Sequence, residues 1–301
     1  MDGIVECVPN FSEGRNPEVI DRIAAAIADV KTVKVLGRES DKDHNRSVIT
    51  FIGPPETIAD AAFAGVAKAA ELIDLTRHTG EHPRMGAADV VPFVPVRGVE
   101  MEDCVKLAQG LGRRVGDELR IPVFLYEEAA TRPERRNLAN VRKGQFEGLR
   151  DLIGKDPERK PDFGPEKIHP TAGAVAIGAR EFLIAYNVNL ASDNLALAKE
   201  IAKKIRESSG GLPCVKALGL MLKELNVAQV SMNLTNFRVT PMRKVFDAIR
   251  AEAEKAGDKI RDSELIGLVP RAALSPEDVE YLKIESFDPG QIIENRLDDT
   301  D

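Results

Sequence analysis

The chain contains no tryptophan, and only three tyrosines and eleven phenylalanines in 301 residues. Any flat ring it binds must be stacked by Phe, Tyr or an arginine plane. Its three cysteines, Cys7, Cys104 and Cys214, are few and widely separated. That excludes a disulfide framework and a CxxC metal site, and suits small buried hydrophobes in a reducing cytoplasm. No apolar run approaches the ~18–20 residues that cross a bilayer. The first residues lack a basic stretch followed by an apolar one, so no secretory leader is expected and the expected location is cytoplasmic. Positive charge is also in deficit. Lys and Arg number 42 against 49 Asp and Glu, a net charge of −7 with a pI near 5.4. A general nucleic-acid binder needs the opposite balance.

What is present is a chain of ordinary globular composition, 43% hydrophobic and 30% charged, long enough for about two domains. Short β-branched runs alternate with amphipathic ones. Ile4 to Val8 reads as a strand. Asn16-Pro17 opens a helix with Ile20, Ile23 and Ile27 on one face. Thr32 to Leu36 and Ser47 to Ile52 read as strands, and Gly53-Pro54-Pro55 starts an Ala-rich helix reaching about Leu75. Val90 to Val96 is a strand that Pro92 and Pro95 assign to a sheet edge or an irregular segment. Met101 to Leu119 is helical, and Pro122 to Tyr126 is a strand. The second half repeats the order: strand from Glu181, helix capped by Asp193, strands at Val215 and Val227, helix from Pro241, strand at Leu265. Ser275-Pro276 starts a last helix. Both halves thus read strand-helix-strand-strand-helix-strand, an α/β (α+β) class with two ferredoxin-like split-βαβ subdomains. The Pro- and Gly-rich stretch from Gly154 to Gly173 reads as the connection between them, giving domains 1–173 and 174–301.

The most chemically loaded stretch is Arg77-His78-Thr79-Gly80-Glu81-His82-Pro83-Arg84-Met85-Gly86. His78-x-x-Glu81-His82 formally matches a zinc-protease pattern, which works only on a helix. Gly80 and Pro83 exclude a helix there, so no metal is expected. Gly110-Leu111-Gly112-Arg113-Arg114-Val115-Gly116 has the wrong spacing and setting for a dinucleotide loop. There remains His82, one of only four histidines, in a tight loop between an acid and an arginine; imidazole is suited to proton transfer near neutral pH. The Asp41-Lys42-Asp43-His44-Asn45-Arg46 loop reads first as a solvated turn. The cluster Arg132, Arg135, Arg136, Arg142 and Lys143 reads either as a solvated helix face or as an anion-attracting rim.

Three blocks carry a resemblance: Val5-Glu6-Cys7-Val8-Pro9-Asn10-Phe11-Ser12-Glu13-Gly14, Asn45-Arg46-Ser47-Val48, and Gly80-Glu81-His82-Pro83-Arg84-Met85-Gly86. With Pro161-Asp162-Phe163-Gly164-Pro165, Gly178-Ala179-Arg180 and Ala228-Gln229-Val230-Ser231, they resemble the glutamate formimidoyltransferases from Val5 to about Pro270. The resemblance implies two ferredoxin-like subdomains with a folate tunnel between them. It implies transfer of the formimino group of N-formimino-L-glutamate to N5 of tetrahydrofolate, which serves as co-substrate, releasing L-glutamate in histidine breakdown. The family's catalytic histidine falls on His82. Its folate segment falls on Gly164, Pro165, Glu166, Lys167, Ile168, His169, Pro170, Thr171, Ala172 and Gly173, with Arg180 beyond it. Glu39 and Asp41 are candidates to hold the cationic amidine. Arg46 and Arg84, with Asn10, are candidates for the substrate's carboxylates. Two departures from the family stand out: Arg38-Glu39-Ser40-Asp41 blurs which carboxylate acts, and His169-Pro170-Thr171-Ala172 replaces an aromatic-containing stretch of mammalian relatives. Those relatives also continue into a cyclodeaminase domain, which here is expected as a separate downstream enzyme. A homodimer is expected from the resemblance, and neither nucleic acid nor membrane is an expected partner. Formyl transfer between 5-formyltetrahydrofolate and glutamate is the alternative within the same site. A zinc hydrolase at His78, Glu81 and His82 and a non-catalytic ligand-binding module are the alternatives outside it.

Overall fold

The computed structural model describes residues 3–222 and 224–298, in a mixed α/β architecture. The chain divides after Arg180 into two compact units.

The first unit opens with β1 (Ile4–Cys7) and β2 (Asn10–Phe11), two pieces of one line broken at Val8-Pro9. α1 (Pro17–Ala28), β3 (Lys34–Asp41), β4 (Arg46–Gly53), α2 (Pro55–Leu72) and β5 (Ala88–Arg97) follow. Then come α3 (Met101–Arg114), β6 (Val123–Glu127), the short α4 (Leu138–Val141), α5 (Gln145–Leu152) and β7 (Val175–Ala179). The sheet runs β3, β4, the β1/β2 line, β5, β7, β6. Its first four lines are antiparallel, while β5, β7 and β6 are parallel.

Local sequence explains the helices. The Asn16 side chain accepts from the Glu18 N–H and Pro17 occupies the first turn, as the sequence predicts. Ile20, Ile23 and Ile27 are the buried stripe of α1. It packs on Ile58, Ala62 and Val66 of α2 in a core with Phe11, Phe51 and Phe93. Each such side chain contributes about 1.5–3 kcal/mol by burial. The alternate strand residues Val90, Phe124, Tyr126, Ala174 and Ala176 face the other way and bury Val141, Leu149 and Ile153. The sheet is therefore covered on both faces along β5, β7 and β6.

β5 overturns the edge-strand expectation, since it pairs with β1 and β2 on one side and β7 on the other. The N–H and C=O of a strand residue point to the same side. The Pro92 carbonyl accepts from Val8 N–H, so its ring nitrogen faces the Val8-Pro9 break. The Phe93 carbonyl accepts from Arg180 N–H, which places the Pro95 nitrogen beyond the end of β7. Both prolines thus sit where no ladder bond is lost.

The segment 154–173 is also not a connection between units. Val123 N–H donates to the Phe163 carbonyl at 3.0 Å and Leu125 N–H to Asp162 Oδ2 at 2.8 Å, covering the free edge of β6. Arg135 forms a buried ion pair with Asp162 and donates to the Glu158 and Lys160 carbonyls. Two of the three glycines of the rejected dinucleotide motif find their use here. A methyl on Gly116 would sit 2.5 Å from Gly164 N, and one on Gly112 would sit 2.9 Å from the Phe163 ring. With β7 in this sheet, the division falls after Arg180 and not at 173/174.

The second unit contains β8 (Ile184–Leu190), α6 (Leu195–Ile205), β9 (Val215–Leu222), β10 (Val227–Leu234), α7 (Met242–Lys255) and β11 (Ile260–Ile266). The short α8 (Pro276–Tyr281) and α9 (Ile293–Asp298) follow. Its antiparallel sheet is ordered β11, β8, β10, β9. The cap of α6 is Asn194, one residue past the expected Asp193. Ser275 and Asp278 form a capping box on α8. Tyr186, Val188, Val230 and Met232 are buried, while the alternate residues Asn187, Asn189 and Gln229 bond one another, Glu264 and Asp262.

Asp162→Ala strands the buried Arg135 guanidinium, a change that costs about 3–5 kcal/mol. Denaturant unfolding should show that loss in the transition of the first unit, with the second unit's transition unmoved.

Candidate active site

The covered side of the sheet explains stability; the other end of the same face, over β2, β3 and β4, carries polar groups. Asn10 stands opposite Val48, Val48 opposite Glu39, and Arg46 opposite Asp41, so Asn10, Arg46 and Glu39 share a face. A narrow cleft opens here, lined by Asn10, Ser12, His44, Asn45, Arg46, His78, His82, Arg84 and Asp89. Four of the residues singled out from sequence, Asn10, Arg46, His82 and Arg84, thus converge.

Loop packing brings them together. Asn45, at φ 50°, accepts from Gly14 N–H at 2.9 Å and donates to the Thr79 carbonyl at 3.0 Å. Gly80 lies so close to the 41–46 turn that a methyl would sit 2.3 Å from the His44 carbonyl. Ser12 Oγ donates to the Gly86 carbonyl at 2.7 Å. Buried Asp89 accepts from Met85 N–H at 2.8 Å and from the Arg142 guanidinium. Nothing in the 77–86 stretch is helical. His78 Nε2 donates to the Asn45 carbonyl at 2.9 Å and Nδ1 accepts from Arg84 Nε at 3.3 Å. Both ring nitrogens of His78 are engaged, and among the described residues no group of three or more His, Cys, Asp or Glu side chains could hold a metal.

The two arginines behave differently. Arg84 is buried and forked onto Glu147, with Nη1 and Nη2 donating at 2.8 and 2.7 Å and Nη1 also reaching Gln145. That hydrogen-bonded pair, with the Arg84 charge, holds the Glu147 carboxyl down at about 2. Arg46 donates to Asn10 Oδ1, while its buried Nε has no partner. No carboxylate forms an ion pair with it among the described residues. Burial, then the charge of Arg142, lowers its pKa, although a guanidinium stays charged. Arg46 is thus the cation in the cleft with donors to spare, and Arg84 is the anchor.

The carboxylates also separate. Asp41 accepts from the Asp43 and His44 N–H groups at 2.9 and 2.8 Å and from His44 Nδ1 at 2.7 Å. These bonds, chiefly those from His44, lower its pKa. It is occupied in shaping its own turn, whereas Glu39 is exposed on the cleft face and its charge reaches Arg46. His82 is half-buried. Its pKa is pulled from 6.5 to about 3 by burial first, then by Arg46, Arg142 and His44.

The expected folate segment lies against the histidine loop. Ala87 N–H donates to the Ala172 carbonyl, Ala174 N–H to the Met85 carbonyl and Leu75 N–H to the Thr171 carbonyl, all at 2.9 Å. His169 Nδ1 accepts from Ala172 N–H at 3.0 Å, and burial lowers the pKa of its ring. Ile168 packs into both hydrophobic clusters, and Lys167 is exposed. Arg180 is not in the cleft. Its charge reaches Glu6, whose carboxyl is raised by burial to about 7 against that pull. The basic cluster divides: Arg135 and Arg142 pair with buried Asp162 and Asp89, while Arg136 and Lys143 are exposed.

Sequence reasoning missed Asp89 and Glu147, and took Arg142 only as a member of the basic cluster. Asp89 had a signal, an acid inside the apolar run Ala88 to Val91. Glu147 had none.

Residues 4–180 match the formiminotransferase domain, N-terminal subdomain, and residues 185–288 match the formiminotransferase domain. The chain belongs to the formiminotransferase family. Glutamate formimidoyltransferase of Thermoplasma acidophilum is 52% identical over 297 residues, covering 98% of this chain and 97% of that one. The enzyme of the same name from Streptococcus pyogenes serotype M1 is 49% identical over 298 residues, covering 99% of each. Formimidoyltransferase-cyclodeaminase of Mus musculus is 46% identical over 280 residues, which span 91% of this chain and 51% of the mouse one. This formiminotransferase chain therefore matches the stand-alone relatives end to end and about half of the fused one.

Because the His82 pKa is lowered, its native ring binds a proton less readily than the unfolded chain does. Its contribution to stability is full above about pH 6.5 and is lost as pH falls towards about 3. NMR titration of His82 should show an unprotonated ring at pH 5, and Arg46→Gln should move its pKa upward.

Proposed function

We propose that this chain transfers the formimino group of N-formimino-L-glutamate to N5 of tetrahydrofolate, giving 5-formimidoyltetrahydrofolate and L-glutamate, with His82 as the proton-transfer group. The observation that supports this most is a cleft that brings together His82, Asn10 and a half-buried Arg46 without a carboxylate partner among the described residues, with the 164–173 strap hydrogen-bonded to Met85 and Ala87 beside the histidine loop. In this reading both units are ferredoxin-like, a reading supported by their shared strand-helix-strand-strand-helix-strand order with the first strand between the third and fourth.

Arg46, braced by Asn10, takes a substrate carboxylate, to which its unsatisfied Nε is suited. Glu39 faces the cationic amidine. Arg84 positions the histidine loop and touches no substrate. The 164–173 segment holds tetrahydrofolate mainly through its backbone, with His169 as its one aromatic ring and Lys167 available to an anionic tail. Tetrahydrofolate supplies the nucleophilic N5.

The depressed pKa of His82 has a mechanistic use. The ring is unprotonated across the neutral range and free to accept the N5 proton. A substrate carboxylate on Arg46 cancels part of the cationic field that weakens this base. Substrate binding therefore raises the basicity of His82 when it is needed. Net charge balances over the cycle: one N–C bond forms at N5, one breaks at the glutamate nitrogen, and one proton passes between them.

Purified protein mixed with tetrahydrofolate and N-formimino-L-glutamate should form the 5-formimidoyl product, followed by its absorbance. A parallel mixture of 5-formyltetrahydrofolate and glutamate separates formimino from formyl transfer. His82→Ala should lower kcat by about 10²–10⁴-fold while folate binding persists. Arg46→Gln should raise KM for formimino-glutamate by about 10–100-fold, from loss of about 1.5–3 kcal/mol, and leave KM for tetrahydrofolate unchanged. Full turnover by His82→Ala would refute the assignment.

A further inference from the structure

His82 takes a proton in a setting poorly suited to keeping one. Arg46 on β4 and Arg142 after α4 both press on it, and no carboxylate forms an ion pair with it among the described residues. Asp89 on β5 is occupied with Met85 and Arg142, and Arg84 with Glu147 and His78. A second imidazole stands beside it. The rings of His44 and His82 lie 6.3 Å apart between centroids, inclined edge to face at 71°. His44 Nδ1 bonds the Asp41 carboxylate at 2.7 Å, and its side chain is half exposed. Asp41 is fixed in turn by the Asp43 and His44 backbone N–H groups. Gly80 presses the His82 loop onto this turn, so the ring pair is set by two packed loops and not by a free side chain.

We propose that His44, oriented by Asp41, is the proton reservoir for His82. The inference rests on His82 being the group that takes the N5 proton. His82 accepts that proton as the N5–carbon bond forms and passes it to the neighbouring His44 Nε2, directly or through a water. Asp41 occupies Nδ1, and Nε2 has no hydrogen-bond partner among the described residues. The proton returns through His82 to the glutamate nitrogen as its bond to carbon breaks, so nothing is gained or lost over the cycle. Asp41, which the sequence suggested as an amidine holder, acts instead by fixing the orientation of the His44 ring through its bond to Nδ1. His44 acts through His82 and is a positioning and relay residue, not a catalytic one.

The test compares kcat and kcat/KM from pH 5 to 9 for the wild type, His44→Gln, Asp41→Asn and His82→Ala, with and without added imidazole. His44→Gln should lower kcat by about 10–100-fold with both KM values within about twofold. It should lose one limb of the kcat–pH profile and recover activity as imidazole is raised. Asp41→Asn should fall between the wild type and His44→Gln, with the remaining limb displaced. A His44→Gln enzyme with an unchanged profile overturns the relay, and so does a loss of activity that imidazole does not restore. If His82→Ala turns over normally, the underlying reading fails instead, which keeps the two failures distinct.

Discussion

The site depends on one buried carboxylate. Asp89 takes the Met85 N–H with one oxygen and the Arg142 guanidinium with the other. The first contact fixes the loop that carries His82 and Arg84; the second holds in place one of the cations that govern His82. Such a pair is costly to bury and costlier to break, so neither partner is free to drift. Geometry and electrostatics of the cleft are thus set at the same point.

Around it the fold turns an acidic chain into a locally cationic cleft. The net charge of −7 opposes anionic substrates at long range, but screening makes distant surface charge weak beyond about 8–10 Å. Inside that distance the cleft holds Arg46, whose donors are not satisfied by a carboxylate. Arg84 and Arg142 are ion-paired with Glu147 and Asp89. Most of the local arginines are thus held in ion pairs, and Arg46 is the one in the cleft without such a partner among the described residues. The strap 164–173 is joined to the same loop by backbone bonds at Met85 and Ala87, so movement of one segment is felt by the other.

Much of this was legible locally. Asn16-Pro17 and Ser275-Pro276 mark helix starts because capping is a contact within four residues. Gly80 and Pro83 exclude a helical metal site because backbone sterics act between neighbours. Pro92 and Pro95 misled because their cost depends on which ladder bonds the neighbours offer. Val8-Pro9 and the end of β7 offer none there. The stretch 154–173 misled for a similar reason: its composition excludes regular structure, yet says nothing of the β6 edge it covers.

The sequence alone determined the class of the fold, the place of its longer helices and the histidine loop, since periodicity, caps and turns are short-range properties. The signature blocks also pointed to the chemistry. Tertiary structure decided what each charged side chain is for. Arg46 and Arg84 are equivalent as letters, and Glu39 and Asp41 nearly so. Only the packing of loops 41–46, 77–86 and 142–147 gives one of each pair an ion-pair partner and leaves the other without one among the described residues. Electrostatic roles depend on distance and burial, and those are properties of the folded chain.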